Sequence, residues 1–213
     1  MTGQPPPLLP PGEQGPTLRH LSLIRSFHLA DFLTLANGAC GMGSILFVIA
    51  APVPPRMVLI GSAGLVVLAL VFDFLDGRVA RWRQHHSAFG RELDSLADIL
   101  SFGAAPAVIV FAGGFDTWPD AVVLVFFTLC GLSRLARYNV TAETRGGASG
   151  KVAYFEGTPI PTSVVPLILS VGLLLRGDTW PVPVGASSLH LPVLLFAASG
   201  CLMVSKTLHI PKP

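Results

Sequence analysis

Most of the chain consists of long apolar runs separated by short polar stretches. Six of these runs approach or exceed the ~20 residues that a transmembrane helix needs, namely 32–55, 57–75, 93–115, 121–133, 157–175 and 182–205. The fourth run is short by itself and reaches that length only when Trp118 and Leu135 extend it. The pattern predicts an all-α integral membrane protein whose six transmembrane helices form one domain over residues 31–210.

The first thirty residues have a different character. Residues 1–16 are rich in proline and glycine, which predicts a disordered tail. Residues 17–30 carry Leu18, Leu21, Ile24 and Phe27 on one helical face, with the polar residues largely elsewhere. That arrangement predicts an amphipathic juxtamembrane helix that lies in the membrane interface.

Composition agrees with a membrane protein. Hydrophobic residues make up 51% of the chain, charged residues only 12%, and the mean hydropathy is +0.64. Soluble domains carry roughly 25% charged residues. A net charge of +2 gives no reason to expect a nucleic-acid partner, so the lipid bilayer is the expected environment.

The basic residues are distributed unevenly between the two sides. Twelve of the 14 lie in the termini or in the connections after the second and fourth runs, whereas the other connections contain only Arg56 and Arg176. Cytoplasmic loops are enriched in lysine and arginine. We therefore expect both termini and these two loops on the cytoplasmic side of a bacterial-type cytoplasmic membrane.

Four aspartates interrupt the apolar pattern around one cytoplasmic loop. Asp73 and Asp76 end the second run, while Asp94 and Asp98 lie at the start of the third. An aspartate within a span costs ~2.5–3.5 kcal/mol on insertion scales, so its presence indicates function. Spacings of three and four residues place each pair on one helical face. A short loop joins the two helices, so all four carboxylates can converge near the cytoplasmic surface.

Clustered carboxylates repel each other unless protons or cations intervene. Oxygen ligands without histidine or cysteine favour Mg²⁺, Mn²⁺ or Ca²⁺, and two such ions ~3.5–4 Å apart suit phosphoryl transfer. Gly77 would let a phosphate approach the backbone, and Arg81 could bind it bidentately. Two alternatives remain at this point. The aspartates could pair with nearby arginines for folding, or they could form the ion site of a cation transporter.

The pattern also resembles a known signature. Asp73, Asp76, Gly77, Ala80 and Arg81 are followed, after eight residues, by Gly90, then by Asp94 and Asp98 at intervals of four. This pattern resembles that of the CDP-alcohol phosphotransferases. The resemblance implies a six-helix membrane enzyme with two divalent cations, Mg²⁺ or Mn²⁺. Such an enzyme cleaves a CDP-linked substrate, releases CMP and joins the remaining phosphate to an alcohol.

The same resemblance implies a role for each residue. Asp73 and Asp94 would bridge both metals, Asp76 would complete the first metal site, and Asp98 would complete the second and accept the proton of the attacking hydroxyl. The positions expected to contact the CDP-lipid are Gly77, Ala80, Arg81, Ser87 and Asn37. For Asn37, an amide satisfied between helices is an equally good explanation. Ala30-Asp31 stands where family members often have Pro-Asn.

Four further blocks concern the acceptor alcohol. Residues 90–107, 131–140, 154–161 and 202–206 resemble the compact bacterial and archaeal phosphatidylserine synthases. This implies CDP-diacylglycerol and L-serine as substrates, and it suggests a homodimer; glycerol 3-phosphate is the alternative acceptor. Arg134, Arg137 and Asn139 are candidates to hold the serine carboxylate or the lipid diphosphate. The two arginines could instead anchor the helix by reaching the lipid head groups.

Overall fold

The computed structural model describes residues 29–51, 56–83, 88–145, 154–205 and 209–211. These ranges are mainly helical. The α-helices are α1 (Leu29–Ile49), α2 (Arg56–Arg83), α3 (Ala88–Asp98), α4 (Ala105–Gly113), α5 (Trp118–Arg145), α6 (Val164–Arg176) and α7 (Leu194–Val204). A π-helical segment, Ile99–Ala104, joins α3 to α4, and 3₁₀ turns at Ile160–Ser163 and Leu191–Val193 lead into α6 and α7.

Two small antiparallel pairs of strands lie at the ends of the helices. β1 (Tyr154–Glu156) pairs with β4 (His209–Pro211), with Tyr154 opposite Pro211. β2 (Pro181–Val184) and β3 (Ser187–His190) form a hairpin between α6 and the turn that leads into α7, with Pro181 opposite His190. These short strands connect helices and do not change the predicted all-α class.

Helix α1 has its polar side inward and its apolar side outward. The residues that it buries are mostly polar or small and recur every three or four positions: Asp31, Thr34, Asn37, Gly41, Ser44 and Val48. Its large apolar residues, among them Phe32, Leu46 and Ile49, are about half exposed. Such an arrangement is the reverse of a water-soluble helix. It is suited to a helix whose outer face contacts lipid.

Among the described residues, four helical segments are long and apolar enough to cross a membrane: Leu29–Ile49, Arg56–Trp82, Phe89–Gly113 and Trp118–Thr141. The chain is therefore a mainly helical integral membrane protein. The short fourth run does belong to a long helix, as predicted. The fifth and sixth runs correspond to the shorter apolar helices Ile160–Arg176 and Leu191–Val204. The predicted tail, and all but the last two residues of the predicted amphipathic helix, lie outside the described residues.

Several predicted boundaries differ from the structure. In particular, residues 182–190 of the sixth run lie in the β2–β3 hairpin, so the helical part of that run begins only at Leu191. Helix α1 ends at Ile49, although the apolar run continues to residue 55, and α2 continues to Arg83, well beyond the predicted end at Leu75. Hydropathy marks where a helix leaves the apolar environment. It does not mark where backbone hydrogen bonding stops, and no proline interrupts α2 before Arg83. The extension matters because it continues past Asp76 and Gly77.

Close approach of α1 to the π-helical segment depends on glycine. A Cβ atom on Gly41 would lie 2.7 Å from the Cα atom of Ser101, a separation that side chains essentially never show. Small residues allow membrane helices to approach closely. On the other side of the bundle, apolar side chains fill the space, with Phe127 and Phe196 in edge-to-face contact at 5.1 Å. The contact at Gly41 places α1 against the helical segment that directly follows Asp98.

At the opposite end of the bundle from the four aspartates, a buried acid joins α5 to the hairpin. The Oδ2 atom of Asp120 lies 2.6 Å from His190 Nδ1, and its Oδ1 atom accepts the backbone N–H of His190 at 2.9 Å. The Thr117 hydroxyl lies 2.7 Å from the same carboxylate. The His190 ring also stacks on Phe115. The carboxylate of Asp120 thus connects helix α5, the loop that precedes it and strand β3.

We expect Asp120→Ala to destabilise the protein by about 1–3 kcal/mol, because it leaves buried donors without a partner. The measurement is the free energy of unfolding in detergent. Asp116→Ala is the matched control, since Asp116 is an exposed acid four residues away. Equal stability of the two variants would contradict the proposed contribution of this cluster.

Candidate metal centre

Three of the predicted ligands converge where α2 ends and α3 begins. Asp73, Asp76 and Asp94 each offer a carboxylate oxygen, and these oxygens all lie within 4.8 Å of one another. Asp76 is buried, and the other two are half-buried. The convergence follows from the antiparallel arrangement of two helices that each carry acids on one face.

Asp98 lies one helical turn further along α3 and is 7% exposed. Its carboxyl group adjoins that of Asp73. The Oδ1 atom of Asp98 accepts a hydrogen bond from Asn37 Nδ2 at 3.2 Å. Asn37 therefore reaches the acidic cluster from α1, and its amide is completely buried.

A second contact from α1 was not expected from the sequence. The Thr34 hydroxyl donates to Asp76 Oδ2 at 2.7 Å. Asp31, one turn earlier on the same face, is also buried and lies near Asp76. In the sequence, the polar residues Asp31, Thr34 and Asn37 are spaced by three in an apolar run. This spacing is the pattern that indicates a polar helix face, here directed toward the aspartates.

The chemistry of this site fits a hard divalent cation. Helix α1 contributes a hydroxyl and an amide. These groups donate hydrogen bonds to the carboxylates but do not neutralise their negative charge. The Oδ1 atom of Asp94 is buried and has no hydrogen-bond partner among the described residues. A buried carboxylate oxygen without a partner is costly. Carboxylate oxygens in this arrangement suit Mg²⁺ or Mn²⁺.

The residues after Asp76 form an open surface on α2. A Cβ atom on Gly77 would lie 3.7 Å from Arg81 Nη1, so the guanidinium lies beside the bare backbone of Gly77. Arg81 is exposed and Ala80 is half-buried. Arg78, one of the arginines considered for ion pairing, is exposed and lies 5.9 Å from the centre of the Phe74 ring. Ser87 lies outside the described residues.

The three candidates on α5 have different surroundings. Arg134 is half-buried close to Asp98, and its Nε atom has no hydrogen-bond partner among the described residues. Arg137 instead donates to the backbone oxygen of Val204, at the end of α7, over 3.5 Å. Of these three residues, Arg134 is the one that lies close to Asp98.

Asn139 joins α5 to α3. Its Nδ2 atom donates to Glu92 Oε2 at 3.2 Å and contacts Ser95 Oγ at 3.0 Å. The amide therefore already has partners in this structure. This network holds α5, and with it Arg134, against the helix that carries Asp94 and Asp98.

We expect Asp94→Asn to weaken Mn²⁺ binding by at least about tenfold, because it removes a charged ligand from the cluster. Electron paramagnetic resonance of Mn²⁺ titrated into the purified protein measures this directly. Glu92→Gln is the matched control, since Glu92 is on the same helix but contacts Asn139. Unchanged Mn²⁺ affinity in Asp94→Asn would refute a metal site at this position.

Comparison with known proteins gives a family and several relatives. The family model described as CDP-alcohol phosphatidyltransferase matches residues 27–204. A CDP-diacylglycerol–serine O-phosphatidyltransferase of Saccharomyces cerevisiae is 43% identical over 205 residues, which cover 91% of this chain and 74% of the relative.

Bacterial and archaeal relatives are also similar. A protein of Mycobacterium tuberculosis with the same description is 32% identical over 71% of this chain and 52% of its own length. An archaetidylserine synthase of Methanothermobacter thermautotrophicus is 37% identical over 64% of this chain and 54% of its own length. The chain therefore spans about half the length of these two relatives and about three quarters of the yeast protein.

Proposed function

The chain belongs to the CDP-alcohol phosphatidyltransferase family, and from this premise we propose that it transfers the phosphatidyl group of CDP-diacylglycerol to the hydroxyl of L-serine. The products are phosphatidylserine and CMP. The observation that carries the proposal is the group of three carboxylates, whose oxygens lie within 4.8 Å at the ends of two membrane helices. The choice of serine rests on the relatives, which are described as serine phosphatidyltransferases.

Two divalent cations, Mg²⁺ or Mn²⁺, would occupy the carboxylate cluster. Asp73 and Asp94 would be ligands of both cations, Asp76 would be a ligand of the first and Asp98 of the second. Bound cations of this kind offset the negative charge of the diphosphate and of the departing CMP. The unpartnered Oδ1 atom of Asp94 supports this assignment.

The remaining chemistry falls to the side chains. Asp98 accepts the proton of the serine hydroxyl, and the serine oxygen then forms a bond to the lipid-linked phosphorus. The bond between that phosphorus and the oxygen of the CMP phosphate breaks, and CMP leaves with the electron pair. Arg81, beside the backbone of Gly77, binds the phosphates of the CDP group, and Ala80 and Ser87 contact the same group. The amide of Asn37 is directed to Asp98 instead.

Arg134 is the residue that we assign to the carboxylate of serine. It is half-buried beside Asp98, and its Nε atom is without a partner among the described residues. An acceptor bound there would have its hydroxyl near the proposed base. Arg137 and Asn139 already contact other helices. We propose that they support Arg134 and do not contact the substrates.

The proposed topology has six spans with the catalytic end in the cytoplasm. Helices α6 and α7, which would be the fifth and sixth spans, are shorter than the ~20 residues that a span needs. The β2–β3 hairpin joins them at the opposite end of the bundle from the aspartates. Arg78, Arg81, Arg134 and Arg137 lie at the same end as the aspartates, as the preference for cytoplasmic lysine and arginine predicts. The diacylglycerol chains would remain in the bilayer, and two copies would associate as a homodimer.

The decisive experiment combines purified protein, CDP-diacylglycerol and Mn²⁺ or Mg²⁺ with either L-serine or glycerol 3-phosphate. We expect CMP release and a lipid product that require both serine and the cation. If phosphatidylglycerol phosphate is the main product, the acceptor is glycerol 3-phosphate and not serine. Absence of cation-dependent CMP release with either acceptor would refute the proposed chemistry and leave the transporter alternative.

We expect Asp98→Asn to lower kcat by at least about a hundredfold, because a general base contributes ~10²–10⁴-fold. Steady-state CMP release at saturating substrates and metal provides the measurement. Glu92→Gln again serves as the control on the same helix, because glutamine retains an oxygen that can accept the hydrogen bond from Asn139. Activity of Asp98→Asn within a few-fold of the parent protein would exclude Asp98 as the proton acceptor.

We expect Arg134→Gln to raise KM for serine by about tenfold or more, since it removes a charge-assisted hydrogen bond to the carboxylate. KM for CDP-diacylglycerol should change much less, and Arg137→Gln, which removes only a supporting contact with Val204, should raise KM for serine much less than Arg134→Gln does. If KM rises for CDP-diacylglycerol instead, Arg134 binds the diphosphate and our assignment is wrong.

A further inference from the structure

The helix that carries Asp94 and Asp98 changes its geometry directly after Asp98. Residues Ile99–Ala104 are π-helical, and α-helical geometry resumes at Ala105. Segments of π-helix are rare, and they occur frequently at functional sites. Their position next to the proposed base therefore calls for a physical explanation.

Three hydroxyl groups, one within the π-helical segment and two from other elements, connect this segment to its neighbours. Ser101, within it, donates to the backbone oxygen of Asn37 at 2.9 Å. Ser163, in the turn before α6, donates to the backbone oxygen of Phe102 at 2.7 Å, and Thr128 on α5 contacts that of Gly103 at 3.4 Å. A π-helical turn leaves carbonyl groups without their usual partners, and the Ser163 hydroxyl satisfies that of Phe102. The segment is thus stabilised by its surroundings.

The wider turn sets the direction of Asp98. An α-helix rotates by roughly 100° per residue, and a π-helical turn corresponds to about one extra residue. The buried face of α4, with Ala105, Ile109 and Val110, is fixed by packing in the core. With continuous α-helical geometry and the same packing of α4, Asp98 would therefore be turned by roughly 100°, away from its present contact with α1.

Asn37 contacts this region at two points. Its side chain donates to Asp98, the last residue before the π-helical segment, and its backbone oxygen accepts the hydroxyl of Ser101 within that segment. Gly41, one turn later, permits the close approach that both contacts require. One residue of α1 thus holds both the carboxylate and the helical turn that orients it.

We propose that Asn37 is a positioning residue for Asp98: its amide holds Oδ1 of the carboxylate and leaves Oδ2 for the acceptor hydroxyl and the metal. This proposal rests on the function assigned to Asp98 above. A neutral donor is suited to the task, because it orients a carboxylate without neutralising it. Lysine or arginine at this position would compete with the cation for the same oxygens.

The test uses two variants, each of which removes one of the contacts made by Asn37, and one control. Asn37→Leu removes the amide at similar size, and Ser101→Ala removes the second contact while leaving the amide in place. Ser44→Ala is the control, since Ser44 is completely buried on α1 but its hydroxyl donates to Gly41 within the helix at 2.7 Å. For each variant we would measure kcat, both KM values, the unfolding temperature and Mn²⁺ binding in the absence of substrates.

We expect Asn37→Leu to lower kcat by at least about tenfold, a part of what a general base contributes, with both KM values within about threefold of the parent. Ser101→Ala should have a smaller effect in the same direction, and Ser44→Ala should have none. In the Mn²⁺ titration, the first ion should bind Asn37→Leu as it binds the parent protein. The second ion should bind more weakly, because Asp98 is no longer held.

Several results would overturn the proposal. They are a kcat of Asn37→Leu within twofold of the parent, an equal loss in Ser44→Ala, unchanged binding of both Mn²⁺ ions, or a kcat loss that only parallels a lower unfolding temperature. The Mn²⁺ titration needs neither serine nor CDP-diacylglycerol. If the parent protein fails to transfer phosphatidyl groups to serine, the proposed function is wrong, and the titration still decides whether Asn37 holds Asp98.

Discussion

Four carboxylates held together in a largely apolar helix bundle are the constraint on which this structure depends. Like charges at such distances repel strongly where water is scarce, so the protein must provide donors, protons or cations. The donors contributed by α1 are the hydroxyl of Thr34 and the amide of Asn37. These groups orient the carboxylates but leave their charge, which makes the cluster suited to divalent cations and to a phosphorylated substrate.

The constraint explains the unusual form of α1. A helix in lipid gains nothing by turning apolar residues inward, so its buried face is free to carry polar groups and glycine. Thr34 and Asn37 use that face to reach two different aspartates, and Gly41 brings the helix close to Ser101. Function and packing therefore share one stripe of residues. The same stripe also stabilises the π-helical segment, because the backbone oxygen of Asn37 accepts a hydrogen bond from the hydroxyl of Ser101.

The two ends of the bundle perform different tasks. At one end, acids with neutral donors around them keep a concentration of negative charge that suits divalent cations. At the other end, Asp120 is satisfied by His190 and Thr117 and fixes the hairpin to α5. Both use buried carboxylates, yet the surroundings give them opposite roles. Helix α5 carries residues of both ends, with Asp120 in its first turn and Arg134 close to Asp98.

The sequence by itself determined the membrane class, the approximate positions of the long apolar helices and the meeting of the aspartates. These properties follow from local hydropathy and from spacings of three and four residues, which the helix geometry converts into shared faces. Contacts between helices were decided only by the tertiary structure. Thr34 on Asp76, Asn139 between Glu92 and Ser95, and the π-helical turn after Asp98 depend on how neighbouring helices pack. Residues distant in sequence set that packing through close approach and shared hydrogen bonds, so no local pattern specifies it.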